Sequence, residues 1–206
     1  MLMNVFIYVV TRDYGFAPNP FYNICTLATC KPGIRKSARV GDWIFGIGSK
    51  TTHRNRMIYL MKVSEKITFN EYWENREYEM KKPQMTTLKK MYGDNIYHFD
   101  KSDGVWHQAN SHHSYENGEA NPHNLRRDTS SDNVLISREF FYFGRSAIVI
   151  PDRYTEAIYK SKRNYCKEKE SPIINEFLQY IRYTYEKGYM DDPVLFTKFS
   201  RYDGVS

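Results

Sequence analysis

The sequence has few cysteines, and its apolar runs are short. Three cysteines in 206 residues is an odd number, which cannot close into a full disulfide framework and fits a reducing compartment. The apolar run at the start, MLMNVFIYVV, ends far short of the roughly 20 residues that span a bilayer, and it lacks the basic region and cleavage site of a signal peptide. Internal repeats and low-complexity tracts are also absent. We therefore expect a cytoplasmic protein with no membrane partner.

Aromatic residues and positive charge are in excess. Phe, Trp and Tyr make up 16% of the chain, which is high for a globular protein. The net charge of +6 favours an anionic partner such as a nucleic acid or nucleotide, although it equally suits a protein that is simply kept soluble. The length allows one sizeable core. We treat residues 1–206 as a single domain of undetermined oligomeric state.

Hydrophobic periodicity predicts an α+β fold, with a β-rich body over 1–151 and a helical extension over 152–206. Residues 4–10 are typical of a central strand, and the stretches VGDWIFGIGSK and RMIYLMKVSEKI predict a β-hairpin. Ser171-Pro172 begins a helix with apolar residues at helical spacing. Further strands are expected in ICTLATCKP, NIYHF and NVLISREFFYFGRSAIVIP, and further helices from Thr68 and over Tyr154–Cys166.

The stretch from Arg12 to Lys50 mixes cations and aromatic rings at turns and strand ends. Cations neutralise phosphates and rings stack on bases, so the mixture suits a nucleotide or an unstacked base. A solvated basic face beside an aromatic core has the same composition. The residues expected to contact a ligand are Arg12, Asp13, Tyr14, Asn19, Phe21, Thr29, Lys31, Trp43, Ser49 and Lys50. Turns explain Asp13 and Asn19 equally well, a strand explains Thr29, and the core explains Trp43.

Two cysteines, Cys25 and Cys30, lie close together in this stretch. Four residues separate them and no second pair follows, which is a poor match to a zinc site. If residues 24–32 form a strand, the two side chains point to opposite faces. We expect buried structural thiols and predict no metal and no cofactor.

Residues 100–132 are polar and rich in His, Asn and Gly, and a loop of this length is usually functional or disordered. Histidines beside carboxylates can exchange protons or bind metals. However, their spacing matches neither the metalloprotease nor the zinc deaminase pattern, and a loop held by its own hydrogen bonds is the alternative. The candidate catalytic residues are His112, His113 and Asp128.

Several separated motifs resemble one family. TRDYGFAPNPF, CTLATCKPGIR, ARVGDWIFGIGSK, SHHS and DTSSDNVLIS followed by FFYFG together resemble the nucleotide modification associated domain 2 family, small proteins of bacteria and phages linked to DNA base modification. The resemblance covers residues 1–151. The hairpin is also similar to PUA-like domains of the EVE and ASCH groups. These resemblances imply a small PUA-like β-barrel with flanking helices and a C-terminal helical segment, whose pocket holds a modified base.

Three hypotheses for function follow. The first is a nucleotide modification associated protein that recognises a modified nucleobase or nucleotide in DNA through a PUA-like pocket. The second is an enzyme for hypermodification or removal of DNA bases, which would use the His- and Asp-rich loop. The third is an interaction scaffold that makes its contacts through the C-terminal helices. The sequence names no nucleophile, so whether the protein is an enzyme stays open.

Overall fold

Three β-sheets with α-helices make up the computed structural model, which describes residues 3–51, 53–160 and 164–204. The strands are β1 Asn4–Val9, β2 Cys25–Leu27, β3 Trp43–Ile47, β4 Arg56–Lys62, β5 Glu65–Ile67, β6 Tyr97–Asp100, β7 Val105–Gln108, β8 Val134–Ser137, β9 Glu139–Tyr142, β10 Ile148–Val149, β11 Cys166–Lys169 and β12 Gly188–Tyr189. The α-helices are α1 Pro32–Ser37, α2 Phe69–Glu74, α3 Leu88–Met91, α4 Pro122–Thr129, α5 Asp152–Ile158 and α6 Pro172–Thr184, with 3-10 turns at Arg76–Lys81 and Gly144–Ser146.

The largest sheet has the order β11-β1-β3-β4-β9-β12, with β10 paired to β4. The neighbours β1 and β3 are parallel, and so are β9 and β12. Successive residues of β1 face opposite sides of the sheet: Val5 and Ile7 pack in one buried cluster with α5 and α6, while Phe6 and Tyr8 pack in another. Both faces are therefore covered, which explains the uninterrupted apolar run and confirms the predicted central strand.

The predicted hairpin is confirmed, since β3 and β4 pair antiparallel from Trp43 opposite Lys62 to Ile47 opposite Met57. Gly46 allows the close packing of this pair, because a Cβ there would lie 2.2 Å from the ring of Tyr59. The capping box predicted at Thr68 is also present at the start of α2.

Residues 100–132 are more regular than the sequence indicated. The strand β7, which pairs with β6, and the helix α4 lie within this range. Asn121 caps α4, since its Oδ1 accepts hydrogen bonds from the backbone N–H groups of His123 and Asn124, and Pro122 follows at the first helical position. The Asn-Pro pair therefore carried a helix signal, and the expectation of one long irregular loop was wrong.

The C-terminal quarter supplies both edges of the largest sheet. The strand β11 pairs with β1, and β12 pairs with β9. The helix expected over Tyr154–Cys166 ends at Ile158, and Cys166 begins a strand instead. Within the described ranges the sheets do not close into a barrel, so a PUA-like barrel is not confirmed and the fold is mixed α/β. None of the helices among these residues has the length and apolarity that a bilayer crossing requires.

Candidate active site

A pocket of about 710 Å³ lies at the carboxyl end of β1. Six parts of the chain form it: the end of β1 with the segment that follows it, the turn between β2 and α1, a turn at residues 112–113, the helix α4, the segment just before β11 and the C-terminal segment. The side chains that line it include Tyr8, Thr11, Arg12, Tyr14, Phe16, Cys30, Lys31, His112, His113, Arg127, Asn164, Tyr165 and Tyr202.

Cys30, His113 and Asp128 form a relay at this pocket. The Sγ of Cys30 lies 3.7 Å from Nε2 of His113, and Nδ1 of the same ring lies 2.8 Å from Oδ2 of Asp128. The imidazole therefore bridges a thiol on one side and a carboxylate on the other. A nucleophile, a base and a group that orients the base in this order form the arrangement of cysteine-dependent enzymes.

Asp128 is fixed by contacts with the rest of the site. Its other oxygen, Oδ1, accepts the backbone N–H of Cys30 at 2.9 Å, and Tyr97 donates its hydroxyl to Oδ2 at 3.0 Å. The fully buried Arg35 donates to the backbone carbonyls of Cys30, Asp128, Ser131 and Asn133. These bonds join the turn that carries the thiol to the helix that carries the carboxylate.

In this relay, the charge states of His113 and Asp128 stabilise each other. Burial alone would lower the pKa of His113, but the carboxylate of Asp128 and the sulfur of Cys30 raise it to about 9. Burial would raise the pKa of Asp128, but His113 and the guanidinium of Arg35 lower it below its ordinary value. At neutral pH the ring is therefore an imidazolium that lies between two groups able to carry negative charge.

The backbone at Cys30 has an uncommon conformation. The strand β2 ends at Leu27, Cys30 has φ +55° and Lys31 has φ +40°, and Pro32 begins α1. Residues other than glycine rarely adopt positive φ, and where they do they concentrate at functional sites. A strand, a nucleophile at positive φ and a helix form the turn that exposes the nucleophile in many hydrolases. Here the turn places Cys30 half-buried in the pocket wall.

Cations and rings alternate around the pocket. The guanidinium carbons of Arg12 and Arg127 lie 5.2 Å and 5.4 Å from the centre of the Tyr202 ring. The Nζ of Lys31 lies 4.7 Å from the ring of Tyr8. Among the described residues that line the pocket, none is an aspartate or glutamate. The pocket is therefore suited to an anion with a flat, aromatic part.

His112 contributes an uncharged ring. Burial, with the positive charge of His113 and Arg12, lowers the pKa of His112 to about 3. Its Nδ1 lies 2.6 Å from the carbonyl oxygen of Ser200. Since a carbonyl only accepts, Nδ1 carries the hydrogen and Nε2 keeps its lone pair. This histidine can accept a hydrogen bond but does not titrate near neutral pH.

The structure brings together about half of the residues that the sequence singled out. Arg12, Tyr14 and Lys31 line the pocket with His112 and His113. Asp128 lies directly behind His113. The ligand candidates that do not line the pocket are Asp13, Asn19, Phe21, Thr29, Trp43, Ser49 and Lys50.

These seven residues have other positions in the fold. Asp13 is buried and accepts the hydroxyl hydrogen of Tyr142, while Asn19 is buried and accepts a hydrogen bond from Nζ of Lys81 at 2.7 Å. Trp43 packs in the core beside Phe45, so the alternatives of turn and core describe these positions better than ligand contact. The remaining four are Phe21 and Thr29, both buried, and Ser49 and Lys50, which follow β3.

The sequence alone did not single out Cys30 or the residues that hold it in place. Cys30 was expected to be a buried structural thiol on a strand. It is half-buried, lies beyond the end of β2 and lines the pocket, so that expectation was wrong for Cys30. Cys25 is fully buried, as expected. A cysteine followed by Lys-Pro-Gly was the available signal for a turn into a helix. No local pattern links it to His113, which is 83 positions away. The other missed residues are Arg35, Tyr97, Arg127 and Tyr202.

The relay can also be compared with a metal site. The ligand atoms of Cys30, His113 and Asp128 lie within 4.8 Å of one another. However, both oxygens of Asp128 already accept hydrogen bonds, from the Cys30 N–H, His113 and Tyr97, so Sγ and Nε2 are the two ligand atoms left for an ion. Catalytic zinc sites have three. The expectation of no metal stays a prediction, which elemental analysis of the purified protein tests.

Fold and site together define a mixed α/β protein with a cationic, aromatic pocket built around a cysteine, a histidine and an aspartate. A family model described as nucleotide modification associated domain 2 matches residues 2–200. The chain therefore belongs to this family, which confirms the resemblance and extends it past residue 151, and its role is associated with nucleotide modification. No curated protein and no solved structure matches the chain.

Proposed function

We propose that this protein is an enzyme that acts on a nucleotide or on a nucleotide unit of DNA. Cys30 is the nucleophile, His113 transfers the proton, and Asp128 orients His113. The observation that carries the proposal is the relay of 3.7 Å and 2.8 Å contacts in the wall of the pocket. The proposal selects the second of the three functions that the sequence allowed.

The protonation state of the relay suits nucleophilic catalysis. In a cysteine–histidine pair, the reactive form has the proton on the ring and the negative charge on sulfur. The raised pKa of His113, about 9, keeps the proton on the ring at neutral pH, as this form requires of the histidine. The same imidazolium can return its proton to a leaving group, so one ring serves in both halves of a reaction.

The lining of the pocket favours a nucleotide as the substrate. Arg12, Lys31 and Arg127 offer positive charge for phosphate, and Tyr14 and Tyr202 offer rings beside them. His112 has a lone pair on Nε2 that suits an N–H on a base edge. The family is associated with nucleotide modification, which agrees with this substrate class.

Recognition of a modified base without catalysis is the second candidate function. The specific observation in its favour is the paired cation–ring contact of Arg12 and Arg127 with Tyr202, since such groups bind nucleotides without any chemistry. Binding alone gives no reason for a thiol held next to an imidazolium, and on that ground we favour the enzyme.

The test is incubation of the protein with deoxynucleoside monophosphates and short DNA, each with and without modified pyrimidines, followed by mass spectrometry of the products. We expect a changed substrate mass with the wild type, loss of the change in Cys30→Ser, and its retention in Cys166→Ala. Cys166 is the matched control because its thiol lies outside the pocket lining.

Two outcomes would contradict the enzyme. If nucleotides bind but no mass changes in any mixture, the protein is a recognition module. If Cys30→Ser turns over substrate as fast as the wild type, the thiol is not the nucleophile, whatever the pocket binds.

A further inference from the structure

On the basis of the proposed function, we infer that the reaction is acyl transfer. The substrate class would be a nucleotide that carries an amide or ester on its base or sugar, and the intermediate a thioester on Cys30. The proposed function requires only a cysteine nucleophile and a nucleotide. The inference adds which bond is attacked.

The order of groups around the imidazole is the first argument. Nε2 of His113 faces sulfur and Nδ1 faces a buried carboxylate. Enzymes that attack carbonyl carbon share this order, because the ring must take a proton at one nitrogen while the carboxylate fixes its tautomer at the other. The sequence order here is Cys, His, Asp, and such triads are defined by geometry rather than by position in the chain.

The turn that carries Cys30 is the second argument. The nucleophile has φ +55° between the strand β2 and the helix α1. In strand–nucleophile–helix turns of acyl-transfer enzymes, the backbone N–H of the residue after the nucleophile stabilises the oxyanion. In this chain that residue is Lys31, so the backbone N–H of Lys31 is the donor that we assign to the oxyanion. The next residue, Pro32, has no backbone N–H and cannot serve instead.

The scarcity of acids in the pocket is the third argument. Glycosidic bonds are usually cleaved by two carboxyl groups that flank the bond. Among the described residues that line the pocket, no carboxylate occurs. Asp128 behind the ring has both oxygens occupied, by the Cys30 N–H and by His113 and Tyr97. The site therefore lacks the groups for removing a base by hydrolysis at the sugar.

The reaction balances with water as the only co-reactant. The sulfur of Cys30 attacks the carbonyl carbon, a C–S bond forms, and the bond from carbon to the amine or alcohol breaks. The leaving group takes the proton from Nε2 of His113. Water then loses a proton to the same nitrogen and attacks the thioester, which releases a carboxylic acid and restores the thiol. If an amine replaces water, the acyl group is transferred instead of hydrolysed.

The test uses three acetyl donors: N4-acetyl-dCMP as an amide, 5-acetoxymethyl-dUMP as an ester, and p-nitrophenyl acetate as a donor that needs no nucleotide recognition. Each is mixed with the protein, quenched in acid and examined by intact-protein and peptide mass spectrometry. We expect one acetyl group on Cys30, removed by hydroxylamine as the hydroxamate, with acylation about 100-fold slower in His113→Asn. Cys30→Ala should show none, and Cys166→Ala should match the wild type.

Protection from iodoacetamide separates the inference from the proposed function. If dCMP or dUMP slows alkylation of Cys30 but none of the three donors acetylates it, acyl transfer is wrong and the nucleotide site stands. If neither nucleotide, nor DNA, protects Cys30, the proposed function fails as well. Acetylation by p-nitrophenyl acetate alone, with no effect of nucleotides, would support the acyl chemistry and reject the nucleotide as its carrier.

Discussion

Replacement of Asp128 by asparagine tests the charge coupling of the relay. The carboxylate lies 2.8 Å from Nδ1 of His113, and both side chains are almost completely buried. Without the negative charge, burial is the dominant influence on the ring and lowers the pKa of His113 below its ordinary value. We therefore expect an imidazolium in the wild type and a neutral ring in Asp128→Asn at neutral pH.

The magnitude follows from the pKa of His113, which the site raises from 6.5 to about 9. At about 1.4 kcal/mol per pKa unit, this corresponds to roughly 3 kcal/mol of stabilisation by the charged ring. Because the folded pKa lies above the unfolded one, the stabilisation is fully present below about pH 6.5 and is lost as the pH rises through about 9. The Asp128→Asn variant lacks this dependence.

The assay is urea unfolding of both proteins at about pH 6 and pH 9.5. The free energy of unfolding should fall by about 3 kcal/mol more in the wild type than in the variant. Only this difference is informative, because other groups titrate in the same window; burial lowers the pKa of Lys81 to about 8, for example. If Asp128→Asn does not fold, His113→Gln provides the same comparison by removing the titrating ring.

The chain offers a matched control in Asp103→Asn. His107 and Asp103 form the same kind of pair at 2.9 Å, but their side chains are 44% and 46% exposed. An exposed ion pair contributes at most about 1 kcal/mol to the free energy of unfolding. The free energy of unfolding of Asp103→Asn should therefore depend on pH as that of the wild type does. Equal pH dependence in the wild type and Asp128→Asn would refute the charged relay. A direct NMR titration that places His113 near 6.5 in the wild type would also refute it.

Three further predictions concern the surroundings of the relay. Arg35→Met should lower the free energy of unfolding by about 3–5 kcal/mol in urea, because four carbonyls lose their donor; a change below about 1 kcal/mol would contradict this. Tyr202→Ala should weaken dCMP binding about tenfold by calorimetry, since it removes the ring that both Arg12 and Arg127 contact, whereas Tyr202→Phe should bind normally. His112→Asn should leave the pH midpoints of Cys30 alkylation between pH 5 and 9 unchanged, because the pKa of His112 is about 3; a shifted midpoint would mean that this ring titrates there.

The local elements of this protein were determined by its sequence. Four elements depend on residues that are close together in the chain: the apolar strand β1, the hairpin of β3 and β4, the capping box at Thr68 and the helix that begins at Pro172. Such signals act over a few residues, through alternation, capping and proline geometry. Several residues chosen on chemical type alone line the pocket, namely Arg12, Tyr14, Lys31 and the two adjacent histidines, and their contact with a ligand stays a prediction.

Only the tertiary structure brought Cys30, the proposed nucleophile, together with its partners. Cys30 and Asp128 are 98 positions apart, and their contact depends on how the turn after β2 packs against α4, with Arg35 bonded to both. The role of each histidine was decided in the same way. His112 and His113 are neighbours in the chain, yet burial leaves one ring neutral while a buried carboxylate charges the other. Burial and long-range contacts set such differences, and neither has a local signature in the sequence.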